Sequence, residues 1–194
     1  MRTPKFITTL KQMPHARRAG LAALLLAAFA LAVLAGSALA ANFVSNGSFE
    51  NDSDMDGIPN KWFPGGLTPA DKRVCNQSYA GVCSFRLVGD GGDKTINQVP
   101  LPSGNSGDTY TLTFWVKGKE IDNSAPHVYV ALYFHHLDGT FDSTFEFVAD
   151  GTTGWTKHTM SLTATADFDY IIVLISMDQD NGKAWFDKVK LVGP

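Results

Sequence analysis

From Tyr110 onward, apolar and polar residues follow a period of two. Tyr110, Leu112, Phe114 and Val116 alternate with Thr111, Thr113, Trp115 and Lys117, and Val128, Val130, Leu132 and Phe134 alternate with Tyr129, Ala131, Tyr133 and His135. In a β-strand successive side chains point to opposite faces, so this pattern predicts strands buried on one face only. Tyr170 to Met177 reads YIIVLISM, a nearly continuous apolar run that predicts a central strand. Turn signals recur at Gly89-Asp90-Gly91-Gly92, Ser103-Gly104-Asn105-Ser106-Gly107, Asp138-Gly139, Asp150-Gly151 and Asn181-Gly182. After residue 40 there is no helical periodicity, internal repeat or long linker. Many short strands at such spacing predict an all-β, two-sheet antiparallel sandwich forming one domain.

The first forty residues differ in kind. They hold five basic side chains and no acidic one, with Arg17-Arg18 before an apolar run from Leu21 to Ala35 and Ser37-Ala38-Leu39-Ala40 after it. This is the pattern of a secretory signal peptide over residues 1–40, cleaved after Ala40. An uncleaved anchor is the alternative, because the run approaches bilayer-spanning length. Arg17-Arg18 suits either a twin-arginine route or ordinary flanking charge. The expected location is secreted, periplasmic or at the cell surface, with residues 41–194 as the exported domain. That domain, of 154 residues, is long enough for one sizeable core.

Charge then narrows the partners. After residue 40 there are eleven Lys and Arg against nineteen Asp and Glu, a net of −8. With no basic cluster along the chain, nucleic acid is excluded as a partner, and so is an anionic membrane once the signal peptide is gone. Cys75 and Cys83 enclose seven residues and lie in the exported part, so they are expected to form a disulfide.

The stretch Asn42 to Phe63, NFVSNGSFENDSDMDGIPNKWF, is dense in chemistry. Asn46-Gly47 is a turn signal, and Ser48-Phe49-Glu50 sets an aromatic anchor beside polar groups. Asp52, Asp54 and Asp56 precede Gly57. Three close carboxylates repel unless water or a cation bridges them, and hard oxygen ligands suit Ca²⁺. Counting twelve from Asp52 lands on Phe63 rather than a glutamate, so the loop is not a full EF-hand; a solvated acidic loop is the alternative.

Four aromatic residues, Trp115, Tyr129, Tyr133 and His135, occupy strand positions that should face water. Exposed rings can stack on the apolar faces of sugars; alternatively a loop covers them as a second small core. Trp62, Trp155 and Trp185 are assigned to the core or its edges. No Gly-x-Ser-x-Gly elbow, P-loop or His-Glu-x-x-His motif occurs. His135 and His136 are adjacent and would point to opposite faces. The glutamates after residue 40 are Glu50, Glu120 and Glu146, with no evident pair for glycoside hydrolysis. The chain is not expected to be an enzyme.

Asn46-Gly-Ser-Phe-Glu, the Asp/Gly/Pro loop before Trp62, Gly81-Val-Cys-Ser-Phe-Arg-Leu, Tyr110-Thr-Leu-Thr-Phe-Trp-Val-Lys-Gly and Ala184-Trp-Phe-Asp-Lys-Val-Lys-Leu occur in this order. Together they resemble carbohydrate-binding modules related to families 4, 9 and 22, which are galactose-binding-domain-like jelly rolls. The resemblance implies a jelly roll that holds a polysaccharide or other glycan, such as a β-glucan or xylan, on a concave sheet without catalysis. It places Trp155 as a packing residue at a strand start. It also implies a structural Ca²⁺ held by Glu50 and Asp187, with backbone oxygens near Asn46 and Ser48. Lys188 follows Asp187 where related modules often have a second aspartate. A structural or adhesive surface module is the alternative function, and a small secreted hydrolase the third.

Overall fold

The computed structural model describes residues 41–122, 127–148 and 151–194. The expected signal peptide and Asp150 of the expected Asp150-Gly151 turn lie outside the described residues. Ten strands follow in order: β1 (Phe63–Gly65), β2 (Lys72–Val74), β3 (Ser84–Val88), β4 (Lys94–Gln98), β5 (Thr109–Lys119), β6 (Val128–His136), β7 (Phe141–Phe147), β8 (Thr156–Thr163), β9 (Phe168–Met177) and β10 (Lys183–Val192). They form two five-stranded antiparallel sheets, ordered β1-β4-β9-β6-β7 and β2-β3-β10-β5-β8. This is the expected all-β jelly-roll sandwich.

The alternation read from sequence is the burial pattern. On β5, Tyr110, Leu112, Phe114 and Val116 are buried, and on β6 so are Val128, Val130, Leu132 and Phe134. The apolar run of β9 is central in its sheet, flanked by β4 and β6; there Ile171, Val173 and Ile175 are fully buried. Phe134 stacks on Phe168 at 4.7 Å and Tyr110 meets both edge-on. Each such buried side chain contributes roughly 1.5–3 kcal/mol through removal of apolar area from water.

The N-terminal segment is sewn to β10. Asn46 takes a positive φ of 49°, while its neighbour Gly47 lies where an added Cβ would come 2.0 Å from the Val189 carbonyl oxygen. Positive φ is thus used at Asn46, and the glycine is required by close approach of two backbones. The Asn46 amide group donates to the carbonyls of Asn51 and Asn60 and accepts from the Asn51 N–H, closing the acidic loop on itself. Phe49, fully buried, packs on Trp62 at 5.2 Å and on Phe85 at 5.9 Å.

A buried ion-pair cluster joins the layers. Lys94 of the first sheet is buried, with its ammonium 2.7 Å from Asp71 and 2.7 Å from Asp90. Asp71, which precedes β2 of the second sheet, also accepts from Thr68 and from the Val88 N–H. Burial alone would push the Lys94 pKa down, but bonds from Asp71 and Asp90 outweigh it and hold it above its ordinary value. The Lys94 bond, followed by the Gly92 N–H, holds Asp90 below its own. The Cys75–Cys83 disulfide, formed as expected, links the end of β2 to the start of β3 within the second sheet.

Lys94→Met should therefore cost about 3–5 kcal/mol, because it strands the buried Asp71 carboxylate; an unchanged urea midpoint would refute the tie. The triad's contribution is complete between the ordinary carboxylate and lysine pKa values. Its Lys94–Asp90 part is lost in acid as pH falls through the lowered Asp90 value, and the whole is lost in alkali as pH rises through the raised Lys94 value. Replacing both cysteines by serine should lower stability by roughly 2–3 kcal/mol, since the bond closes a short loop of the unfolded chain. Urea unfolding of the double variant against the parent checks this.

Candidate functional site

The outer face of the first sheet is paved with rings. Tyr129, Tyr133 and His135 all project from β6 on the side opposite its buried residues. Across the ladder Tyr129 faces Phe147, Ala131 faces Phe145 and His135 faces Phe141 of β7. On the other side, Tyr133 faces Ile172 and His135 faces Tyr170 of β9. The rings form a continuous edge-to-face series: Phe147 and Phe145 against Tyr129, Phe145 and Phe141 against Tyr133, and Phe141 against His135, which stacks flat on Tyr170 at 4.5 Å. Phe141, Phe145 and Phe147 are 51, 42 and 48% exposed, which distinguishes this face from a covered second core.

Polar groups punctuate the apolar surface. His135 bonds Asp169 through Nδ1 at 2.7 Å, which fixes the ring orientation. Burial pushes the Tyr133 phenol above its ordinary value, with Tyr129 adding to the effect, so it stays a neutral hydroxyl able to donate. Tyr129 and Tyr133 lie four strand residues apart, roughly 13 Å along the strand, with only Ala131 between them on that face. The β7 phenylalanines were not among the sequence candidates. Their period of two is present, but the alternate positions Asp142 and Glu146 are polar and bond His136 and His158 at the sandwich edge, so no apolar face announces the strand.

Trp115 belongs elsewhere. It lies on β5 of the second sheet and so faces away from Tyr129, Tyr133 and His135; the expectation of one four-residue aromatic site is corrected on this point. Alternation reports whether a side chain points in or out, but not which sheet its strand joins. Trp115 stacks on Tyr79 at 3.5 Å with the rings 13° apart, and Trp155 approaches Tyr79 at 6.2 Å. Trp62 is buried in the core and donates to the Asn46 carbonyl, while Trp185 is 8% exposed on the outer side of β10 with Lys117 over its ring.

The carboxylates fall into two groups. Asp187, fully buried, accepts from the backbone N–H groups of Tyr79, Ala80 and Lys188. Desolvation pushes its pKa up against those amide bonds. Glu50 accepts from the N–H groups of Val82 and Cys83. The two side chains thus clamp one disulfide-closed loop. The Asn46 carbonyl, expected to complete a metal shell with them and Ser48, already accepts from Phe49 and from the Trp62 indole. The loop trio fits a hard cation better: oxygens of Asp52, Asp54 and Asp56 lie within 4.8 Å of one another. Asp52 Oδ1 is buried and accepts no hydrogen bond, whereas Oδ2 takes the Gly57 N–H.

Comparisons with known proteins accord with this architecture. No curated protein matches the chain. A solved family 16 carbohydrate-binding module has a TM-score of 0.56 and 23% identity, with 78% of this chain and 99% of that one covered. A family 61 module solved with β-1,4-galactotriose has a TM-score of 0.55 and 21% identity over 79% of this chain and 99% of that one. The enzymatically active domain of tailspike protein 4 from bacteriophage CBA120 has a TM-score of 0.60 and 16% identity; the match covers 79% of this chain but 21% of that one. At these identities the likeness is one of fold. The model for carbohydrate-binding modules of families 4 and 9, described as "Carbohydrate binding domain", matches residues 41–181, and the chain belongs to that family.

Proposed function

We propose that this protein is an exported, non-catalytic module that binds a polysaccharide on the outer face of its first sheet. The observation that carries the reading is the exposed ring series of β6, β7 and β9. Aromatic side chains this exposed forfeit burial energy unless something apolar covers them. Pyranose rings offer flat apolar faces with hydroxyls at their rims. Tyr133, Thr95, Asn97 and Ser143 supply hydroxyl and amide partners on the same face. No lysine or arginine occupies the outward strand positions of this face, which favours a neutral chain such as a β-glucan, xylan or galactan. A glycosidase needs two carboxylates flanking the scissile bond; Asp169, at the rim here, is engaged with His135.

Structural calcium belongs to the same reading. The Asp52, Asp54 and Asp56 loop would hold it through carboxylate oxygens, offsetting the repulsion among three like charges. Glu50 and Asp187 form the second candidate set, with the buried Asp187 carboxyl hydrogen-bonded to backbone amides.

Affinity electrophoresis on a panel of soluble β-glucans, xylan and galactan should show retardation by at least one. Tyr133→Ala should then weaken binding by about 1–3 kcal/mol, as loss of a central interface ring does, with little change in Tm. Folded protein retarded by none would favour a structural or adhesive module, and release of reducing sugar would favour a hydrolase.

A chelator should lower Tm relative to excess Ca²⁺, because an ion bound only by the native state stabilises it in proportion to the logarithm of its concentration. Asp54→Asn should abolish that difference, whereas Asp187→Asn should leave it in a less stable protein. Identical melting curves with Ca²⁺ and chelator would show both carboxylate sets to be ordinary solvated or amide-bonded groups.

A further inference from the structure

The outer face of the second sheet carries a groove of about 600 Å³ between the N-terminal segment and the disulfide loop, lined by Tyr79, Thr113, Trp115, Lys157, Lys188 and Lys190 among others. Its floor is built by register: β8 sets Lys157 beside Trp115, and β10 sets Lys190 beside Thr113. Tyr79 forms one wall. It is 42% exposed, with one ring face against Trp115 and Trp155 approaching the ring at 6.2 Å. The loop that presents it is closed by Cys75–Cys83 and clamped through four backbone N–H groups by Asp187 and Glu50. The ring is therefore held in place before any ligand arrives, which reduces the entropy cost of binding.

The charges run against the chain as a whole. After residue 40 acidic residues exceed basic ones by eight, yet three lysines converge here and no carboxylate lines the groove. None of the three ammonium groups forms an ion pair among the described residues. The Lys188 charge acts on Asp187, but that carboxylate is buried and spends its oxygens on backbone amides. Three unpaired ammonium groups beside an exposed, buttressed ring match an anion carried on a flat apolar ring.

We propose that this groove is a second glycan site, for a carboxylated sugar. The exposed part of the Tyr79 ring takes the apolar face of a uronic acid residue, and Lys157, Lys188 and Lys190 take its carboxylate. The site is independent of the neutral-glycan reading of the first sheet, since the two faces lie on opposite sides of the sandwich and differ in charge.

Calorimetric titration with oligogalacturonate and with oligomers from alginate, at low and high salt, tests it. At least one should bind at low salt and weaken as salt screens the lysines, while its carboxyl-reduced counterpart should not bind this groove. Tyr79→Ala and the double variant Lys157→Gln/Lys190→Gln should each weaken binding by about tenfold or more. Tyr133→Ala, on the other sheet, should leave it unchanged. The lysine variant alters exposed groups only and keeps the test valid if Tyr79→Ala loosens its loop, with Tm measured for each. Four results would overturn the proposal: no binding of either uronate at low salt, binding insensitive to the lysine variant, loss through Tyr133→Ala, or binding to phosphatidylglycerol vesicles without binding to uronates. Binding of dextran sulfate and uronates alike, indifferent to Tyr79→Ala in folded protein, would reduce the groove to a non-specific cationic patch and would overturn it too.

Discussion

The structure rests on the burial of one face of each sheet against the other. Leu112, Phe114 and Phe186 of the second sheet and Leu132, Phe134, Val173 and Ile175 of the first are fully buried, and they belong to one continuous apolar cluster. A strand's side chains alternate strictly, so fixing these residues inward fixes every neighbour outward; a slip of one residue would reverse both sets. The outer faces, and whatever they bind, are consequences of that core.

The two outer faces diverge in chemistry because the sandwich separates them. One has aromatic rings on three adjacent strands and a carboxylate–histidine pair at its rim. The other mixes a threonine ladder, in which Thr109 and Thr111 bond Thr163 and Ser161, with lysines and one stacked Tyr–Trp pair. Neither surface competes with the core for its residues. Function on either face can therefore be altered with little effect on folding, provided the backbone below is unchanged.

Connections carry more of the stability than their irregular form suggests. Glu50, Asp71 and Asp187 each satisfy backbone N–H groups of segments far along the chain, and Asn46 bonds the backbone of Asn51 and Asn60. Buried backbone amides need partners, and these side chains supply them where no strand does. The acidic loop, the Tyr79 loop and the turn before β2 are ordered by such bonds.

The chain's periodicity by itself determined the strands at Tyr110–Val116, Val128–His135 and Tyr170–Met177, their buried positions and the antiparallel sandwich, and a count of two cysteines left one possible pairing. These are local or compositional properties, and alternation with turn residues encodes them directly. Tyr129, Tyr133 and His135 were legible as outward rings for the same reason. The assignment of β5 to the sheet opposite β6 was decided only by tertiary structure, because pairing partners are chosen by contacts distant in sequence. That choice moved Trp115 off the aromatic face and brought it to Tyr79. It also brought Lys157 to Lys188 and Lys190, forming a basic cluster that no stretch of the sequence contains. The phenylalanines of β7 became visible as a surface once the edge strand was placed, since its inward side is polar and gives no apolar signal of its own.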